Sequence, residues 1–293
     1  MLGWRIGIST VLVPLLVGLF TLDHHAGEKA PFLFALVMLL VIRASCEFTE
    51  LLRTRQFAPS CPVIAICSLS IVAAAWLGRI DDRMPDSLET AMIAFSLSIL
   101  VVFVVGAVRY KQPGQTMETA GAELLGIAYI GVLLAVTAQL RWAVNAQAGY
   151  LVLASLVIAA KCGDIGGYTF GRLFGNRKLV PTLSPGKTWA GAWGALGTSS
   201  FACAVWLHFG PRIFFENAQP CPLGWSLLYG AIVGVTGLVG DLAESLIKRD
   251  VQKKDSSELL PGFGGLLDLL DSVIFAGPVA LVLWKLLPLA TWL

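Results

Sequence analysis

Charge is what this chain has least of. Asp, Glu, Lys and Arg make up 14% of its 293 residues, against roughly 25% in a soluble globular domain. The deficit falls in blocks, as a bilayer-crossing chain requires. Histidine is also scarce: His24, His25 and His208 are scattered, which excludes a histidine-built zinc site. None of the six cysteines forms a C-x-x-C pair, and most sit in or beside apolar runs. They read as small apolar helix residues, not as metal ligands or disulfides. The apolar run after Arg5 lacks a small-x-small cleavage site, so it reads as a first transmembrane helix and not as a secretory signal. Gly186-Lys187-Thr188 looks like the end of a P-loop. Pro181 stands where that pattern needs glycine, and no strand precedes it, so a P-loop NTPase is excluded.

What is present is apolar sequence in long runs. Hydrophobic residues make up 56% of the chain. Nine stretches, roughly 4–20, 31–46, 62–78, 88–108, 122–140, 149–162, 190–208, 223–243 and 272–292, approach the roughly 20 residues a span needs. Backbone in lipid must satisfy its own hydrogen bonds. The expected fold is therefore an all-α polytopic membrane protein with about nine transmembrane helices. With the N-terminus in the cytoplasm, 15 of the 21 Lys and Arg fall in cytoplasmic segments, as the positive-inside rule requires. The chain is expected to divide into N-terminal spans, 1–120, and a catalytic membrane region, 121–293. The latter carries two cytoplasmic polar segments, 161–189 and 244–271.

The strongest chemical signal lies in residues 240–272. On a continuing helix Asp241, Ser245 and Lys248 fall at i, i+4 and i+7 and share a face. Glu244 belongs either to that cluster or to an ordinary i, i+4 pair with Lys248. Asp268 and Asp271, three apart, open the last apolar run. Either alone suits the first turn of a helix, where carboxylates complement the macrodipole. Together with Asp241 they suit a divalent cation that bridges phosphate oxygens. Pro261, Gly262, Gly264 and Gly265 precede them, and such a turn lets backbone approach a ligand closely.

The second signal is 161–189. Gly163, Gly167, Gly171 and Gly175 recur every four residues, a smooth strip suited to close helix packing. Asp164 beside the strip is a candidate ligand. Ser184, Lys187 and Thr188 are candidate phosphate contacts, Lys187 as a point charge.

Residues 244–272 resemble the C-terminal signature of the phosphatidate cytidylyltransferases, the CDP-diacylglycerol synthases. The resemblance rests on Ser245, Lys248-Arg249, Lys254-Asp255, Pro261-Gly262-Phe263-Gly264-Gly265 and Asp268-x-x-Asp271-Ser272. The run from Asp164 to Trp189 is similar to the family's other polar segment. The resemblance implies transfer of the cytidylyl group of CTP to phosphatidate at the cytoplasmic face of a bacterial inner membrane. It implies Asp241, Asp268 and Asp271 as ligands of Mg²⁺, with a second cation left open, and Lys248 among the catalytic residues. Substrate phosphates would be held by Lys187, Arg249, Ser184, Thr188 and Ser245, with Asp164, Gly264 and Gly265 lining the site. Membrane lipid is an expected partner and nucleic acid is not; a homodimer stays open.

Two positions depart from the family pattern. Phe263 replaces its usual histidine and Leu269 its usual arginine. An ion-coupled transporter and a cytidylyltransferase acting on another lipid phosphate are the alternatives. A CDP-alcohol phosphotransferase would need an Asp-Gly-x-x-Ala-Arg run, which is missing. The nucleophile is a lipid phosphate, already largely ionised near neutral pH because its second pKa is about 6. A general base at position 263 is therefore unnecessary. Phe263→His is expected to change the rate of CTP-dependent pyrophosphate release by less than about tenfold. A gain of about a hundredfold, the scale of general acid–base catalysis, would contradict that.

Overall fold

The computed structural model describes residues 2–53, 59–80, 84–215, 218–257, 259 and 264–291. All nine apolar stretches are helical over most of their described length, the last of them only as far as Leu286. They lie in α1 (Leu2–Ala26), α2 (Pro31–Leu52), α3 (Cys61–Ile80), α4 (Ser87–Arg109), α5 and α6 (Thr116–Gly126 and Leu133–Ala138, joined by a π-helical turn at Ile127–Val132), α7 (Gly149–Phe174), α8 (Trp189–Phe209), α10 (Leu223–Asp250) and α11 (Leu266–Leu286). A single turn, α9, spans Pro211–Phe214. Seven of these helical segments are long and apolar enough to cross a membrane, and the chain is an all-α polytopic membrane protein. The remaining two are α8 and the N-terminal helix, whose apolar part runs over Thr10–Ala26. One element was not expected: strands β1 (Lys178–Val180) and β2 (Ser184–Thr188) form an antiparallel hairpin, pairing Lys178 with Thr188 and Val180 with Ser184.

The chain divides into two compact units. The first contains residues 1–136 and 250–269, the second 137–249 and 270–293. The polar segment 244–271 is thus shared out, most of it going to the unit built from the N-terminal helices.

In the first unit α3 packs against α2, α4 and the π-helical turn. Gly126 and Gly131 make this possible. A Cβ on Gly131 would stand 2.8 Å from Ser68 Cα, and one on Gly126 2.9 Å from the Phe48 ring. In the second unit α7 lies along α8. Thr188 starts α8 as its N-cap, its Oγ1 accepting the Gly191 N–H at 3.1 Å.

The glycine strip on α7 does face α8, but the closest approach lies elsewhere. A Cβ on Gly163 or Gly167 would find ordinary contacts at 3.5 Å or more. A Cβ on Gly166 would strike Thr198 Oγ1 and stand 2.7 Å from Gly194 O, and one on Gly194 would stand 2.5 Å from Phe170 Cβ. The four-residue period therefore finds the right helix face and includes Gly175, where a Cβ would stand 2.5 Å from Thr188 Oγ1, but it misses Gly166. Gly166→Ala is expected to cost about 1–3 kcal/mol by overpacking, and Gly163→Ala less than about 0.5 kcal/mol. Thermal unfolding in detergent distinguishes them, and equal shifts would contradict this packing.

Candidate active site

The second unit gathers charge where α7, α10, α11 and the hairpin meet. Gly240 sets this geometry: a Cβ there would stand 2.7 Å from the Asp271 carbonyl oxygen and 2.6 Å from Phe275 Cβ. Only glycine lets α10 run this close to the α11 backbone, which brings Asp241 beside Asp271. Asp271 is buried, and its Oδ1 accepts the Ser272 N–H. Ser272 Oγ donates to Asp164 Oδ2 at 3.1 Å. Lys161 Nζ donates both to Ser272 Oγ and to Asp164 Oδ2, each at 2.9 Å. Asp241, Asp164 and Lys161 all lie within electrostatic range of Asp271.

The hairpin supplies the second cation of this cluster. Lys187, on β2, places Nζ 2.9 Å from Asp241 Oδ2. Arg249 Nε donates to Leu183 O, in the hairpin's turn, at 3.4 Å. One turn back along α10, Lys248 Nζ and Glu244 Oε2 form a buried i, i+4 pair at 2.9 Å. Ser245, beside them, is also buried. Asp241 and Asp164 keep about 40% of their side-chain surface exposed, 39% and 41%, so neither is sealed within the protein.

Asp268 belongs to the first unit, where one of its oxygens is held by local hydrogen bonds. Its Oδ2 accepts Ser256 N at 2.8 Å, Ser256 Oγ at 2.7 Å and Gly265 N at 2.8 Å. The bond from Gly265 is half of a capping box at the start of α11. Gly264 takes φ +94°, a conformation suited to glycine. A Cβ on Gly265 would stand 2.6 Å from Glu47 Oε2 and 2.8 Å from Ser257 Oγ. Gly265 is therefore needed for packing, and its N–H is spent on Asp268 rather than offered to a ligand. Pro261, Gly262 and Phe263 lie outside the described residues. Thr188, expected at a phosphate, is buried as the α8 cap.

The first unit also holds a group that sequence reasoning passed over. Glu47, on α2, is fully buried. Its carboxylate receives Arg43 Nη2 at 2.9 Å, Ser257 Oγ at 2.9 Å and the Leu267 N–H at 3.0 Å. Residues 1–120 thus do more than span. They supply the anion that holds the 250–269 segment and the first turn of α11. The available signal was Arg43 and Glu47 four apart inside an apolar helix, since ionisable residues at membrane depth are functional candidates. Lys161 and Ser272 were likewise visible as sequence but were not singled out.

Residues 4–287 match the model of the Cytidylyltransferase family. The chain belongs to this family. Among its relatives, the cytidylyltransferase is 33% identical to a phosphatidate cytidylyltransferase of Pseudomonas aeruginosa over 97% of each chain. It is 32% identical to one of Chlamydia pneumoniae over 80% of this chain and 76% of the relative. It is also 35% identical to YnbB of Escherichia coli over 65% of this chain, covering 62% of that protein.

Among the described residues no three His, Cys, Asp or Glu side chains are grouped closely enough to hold a metal ion alone. Mg²⁺ does not require three, because it is commonly held by one or two carboxylates with phosphates and waters. Asp241 and Asp271 fit that pattern: hard oxygen donors, one half-exposed and one buried, with Asp164 adding further negative charge. Asp268 fits less well, because its Oδ2 already accepts three hydrogen bonds.

For this cytidylyltransferase, Glu47→Leu is expected to leave the Leu267 N–H and the Ser257 hydroxyl without their acceptor. Breaking a buried charged group of this kind costs about 3–5 kcal/mol. Amide exchange over 264–268 should accelerate at least about a hundredfold. Unchanged protection there would show that Glu47 does not hold the start of α11.

Proposed function

We propose that the protein transfers the cytidylyl group of CTP to phosphatidate, giving CDP-diacylglycerol and pyrophosphate. The reading is carried by the cluster of Asp241, Asp271, Asp164, Lys187 and Lys161 at the meeting of membrane helices. The names of the relatives support the same substrates. The bias of Lys and Arg supports a site that faces the cytoplasm of a bacterial inner membrane, where a soluble nucleotide meets a bilayer lipid.

In this reaction an oxygen of the lipid phosphate attacks the α-phosphorus of CTP. A new phosphoanhydride bond forms, the bond to the β-phosphate breaks, and pyrophosphate leaves. The nucleophile is already an anion, so no side chain has to remove a proton. The enzyme must instead hold two polyanions together and neutralise the charge that builds at the α-phosphate.

Lys187 and Lys161 suit that task. Each is held by a carboxylate, Asp241 or Asp164, which keeps its ammonium in place until a phosphate oxygen takes over. Arg249, anchored by its Nε at the hairpin turn, carries the planar fork that suits a phosphate. Lys248 contributes field from its buried pair with Glu244. Mg²⁺ would be held by Asp241 and Asp271, and when bound it supplies Lewis-acid neutralisation of phosphate charge. Asp268 serves as the residue that shapes the loop and first turn ahead of Asp271. Ser184, on β2 with Lys187, and Ser245, four residues after Asp241 on α10, suit hydrogen bonding to phosphate oxygens.

The test is CTP- and phosphatidate-dependent pyrophosphate release by purified variants. Asp241→Asn and Asp271→Asn should each lose at least about a hundredfold in kcat, the scale of removing one preorganised electrostatic contact. Lys187→Ala should lose a similar factor in kcat/KM. Folded Asp271→Asn protein with wild-type turnover would refute the proposed site.

A further inference from the structure

An apolar groove of roughly 930 Å³ runs along α7 and α8 in the second unit. Its floor is Gly194 and Gly197, and its walls include Phe170, Trp193, Phe201 and Trp206. The groove exists because two glycines three apart on α8 leave out two side chains. Trp193 and Phe201 are 66% and 69% exposed, so the walls stand open toward the side where an integral membrane protein meets lipid. Thr198 is polar, but its hydroxyl is bonded to Cys162 O at 2.9 Å and Gly194 O at 2.8 Å. The lining therefore offers no group that would recognise a headgroup. It suits a hydrocarbon chain.

The groove and the charged cluster share α7 and the hairpin that joins α7 to α8. Cys162 and Ile165 line it and alternate along α7 with Lys161 and Asp164, which face the cluster. At one end it is bounded by Phe174, the last residue of α7, and by Ala190, three residues after Lys187. The hairpin that carries Lys187 toward Asp241 thus springs from the mouth of the groove.

We infer that this groove binds an acyl chain of the lipid phosphate substrate, so that its phosphate is presented at Lys187 and Lys161. The inference rests on the reading of the protein as a phosphatidate cytidylyltransferase and adds where the lipid part is held. A chain that enters exchanges lipid contacts for groove contacts, so binding depends on close packing against the glycine floor, and the open side lets a lipid enter sideways from the bilayer.

Gly197 gives a clean probe, because a Cβ there would meet nothing within 4 Å. Gly197→Leu and Gly197→Phe fill the groove without disturbing helix packing. Both should lower the ratio of kcat/KM for dipalmitoyl phosphatidate to that for dihexanoyl phosphatidate by about tenfold, or about 1.4 kcal/mol. Leu39→Phe, on an exposed position of α2, should leave that ratio as in wild type. An independent arm uses phosphatidate with a diazirine in its acyl chain. Photolysis should label groove residues of α7 and α8 in the wild type, and unlabelled phosphatidate should compete better than phosphatidylcholine. An unchanged ratio in both Gly197 variants overturns the inference, as does labelling that both lipids compete equally, which would mean bulk lipid. Competed labelling without any pyrophosphate release would leave the groove standing and sink the reaction assigned above.

Discussion

A carboxylate inside a membrane-spanning helix must be met by a cation or by donated hydrogen bonds, because an unpaired charge there costs several kcal/mol. That constraint accounts for most of the polar architecture of this protein. Glu47 is met by Arg43, two serines and a helix N-terminus. Asp268 is met by three donors on one oxygen. Asp164 and Asp241 are each met by a lysine. Asp271 stands apart: buried, close to two other carboxylates and with one lysine in range. Where the first set of carboxylates is internally balanced, this last group carries surplus negative charge, and surplus negative charge is what a divalent cation with bound phosphates would neutralise.

Glycine provides the second half of the design. Gly240 brings α10 against α11, Gly166 and Gly194 bring α7 against α8, and Gly194 with Gly197 leaves a groove on the lipid side. The same residue type thus sets the spacing of the carboxylates and, in the inference drawn above, the space for a lipid chain. Helix association in a membrane relies on such close packing, since lipid tails are as apolar as the side chains they would replace.

Much of this was legible in the sequence. The apolar runs became helices because nothing else satisfies backbone in lipid. Asp241 and Asp164 were readable because each stands at the end of an apolar run, and Lys187 because it sits in Gly186-Lys187-Thr188 just ahead of one. Glu47 was not readable as a partner of Ser257 and Leu267, because that contact joins residues about 210 positions apart and no spacing rule reaches that far. Asp268 and Asp271 looked equivalent at i, i+3, yet local turn chemistry claims the first and leaves the second to the charged cluster. The glycine strip was legible in part: Gly171 and Gly175 do meet Thr188, but a period of four drifts across a helix of 3.6 residues per turn, so it leaves out Gly166.

The most direct test of the account is transfer of label from CTP in the purified, reconstituted wild-type protein with phosphatidate and Mg²⁺. CTP radiolabelled at the α-phosphate should give organic-extractable CDP-diacylglycerol, whereas label at the γ-phosphate should appear only in pyrophosphate. Label from the γ-phosphate in the lipid, or no lipid labelling from either position, would contradict it.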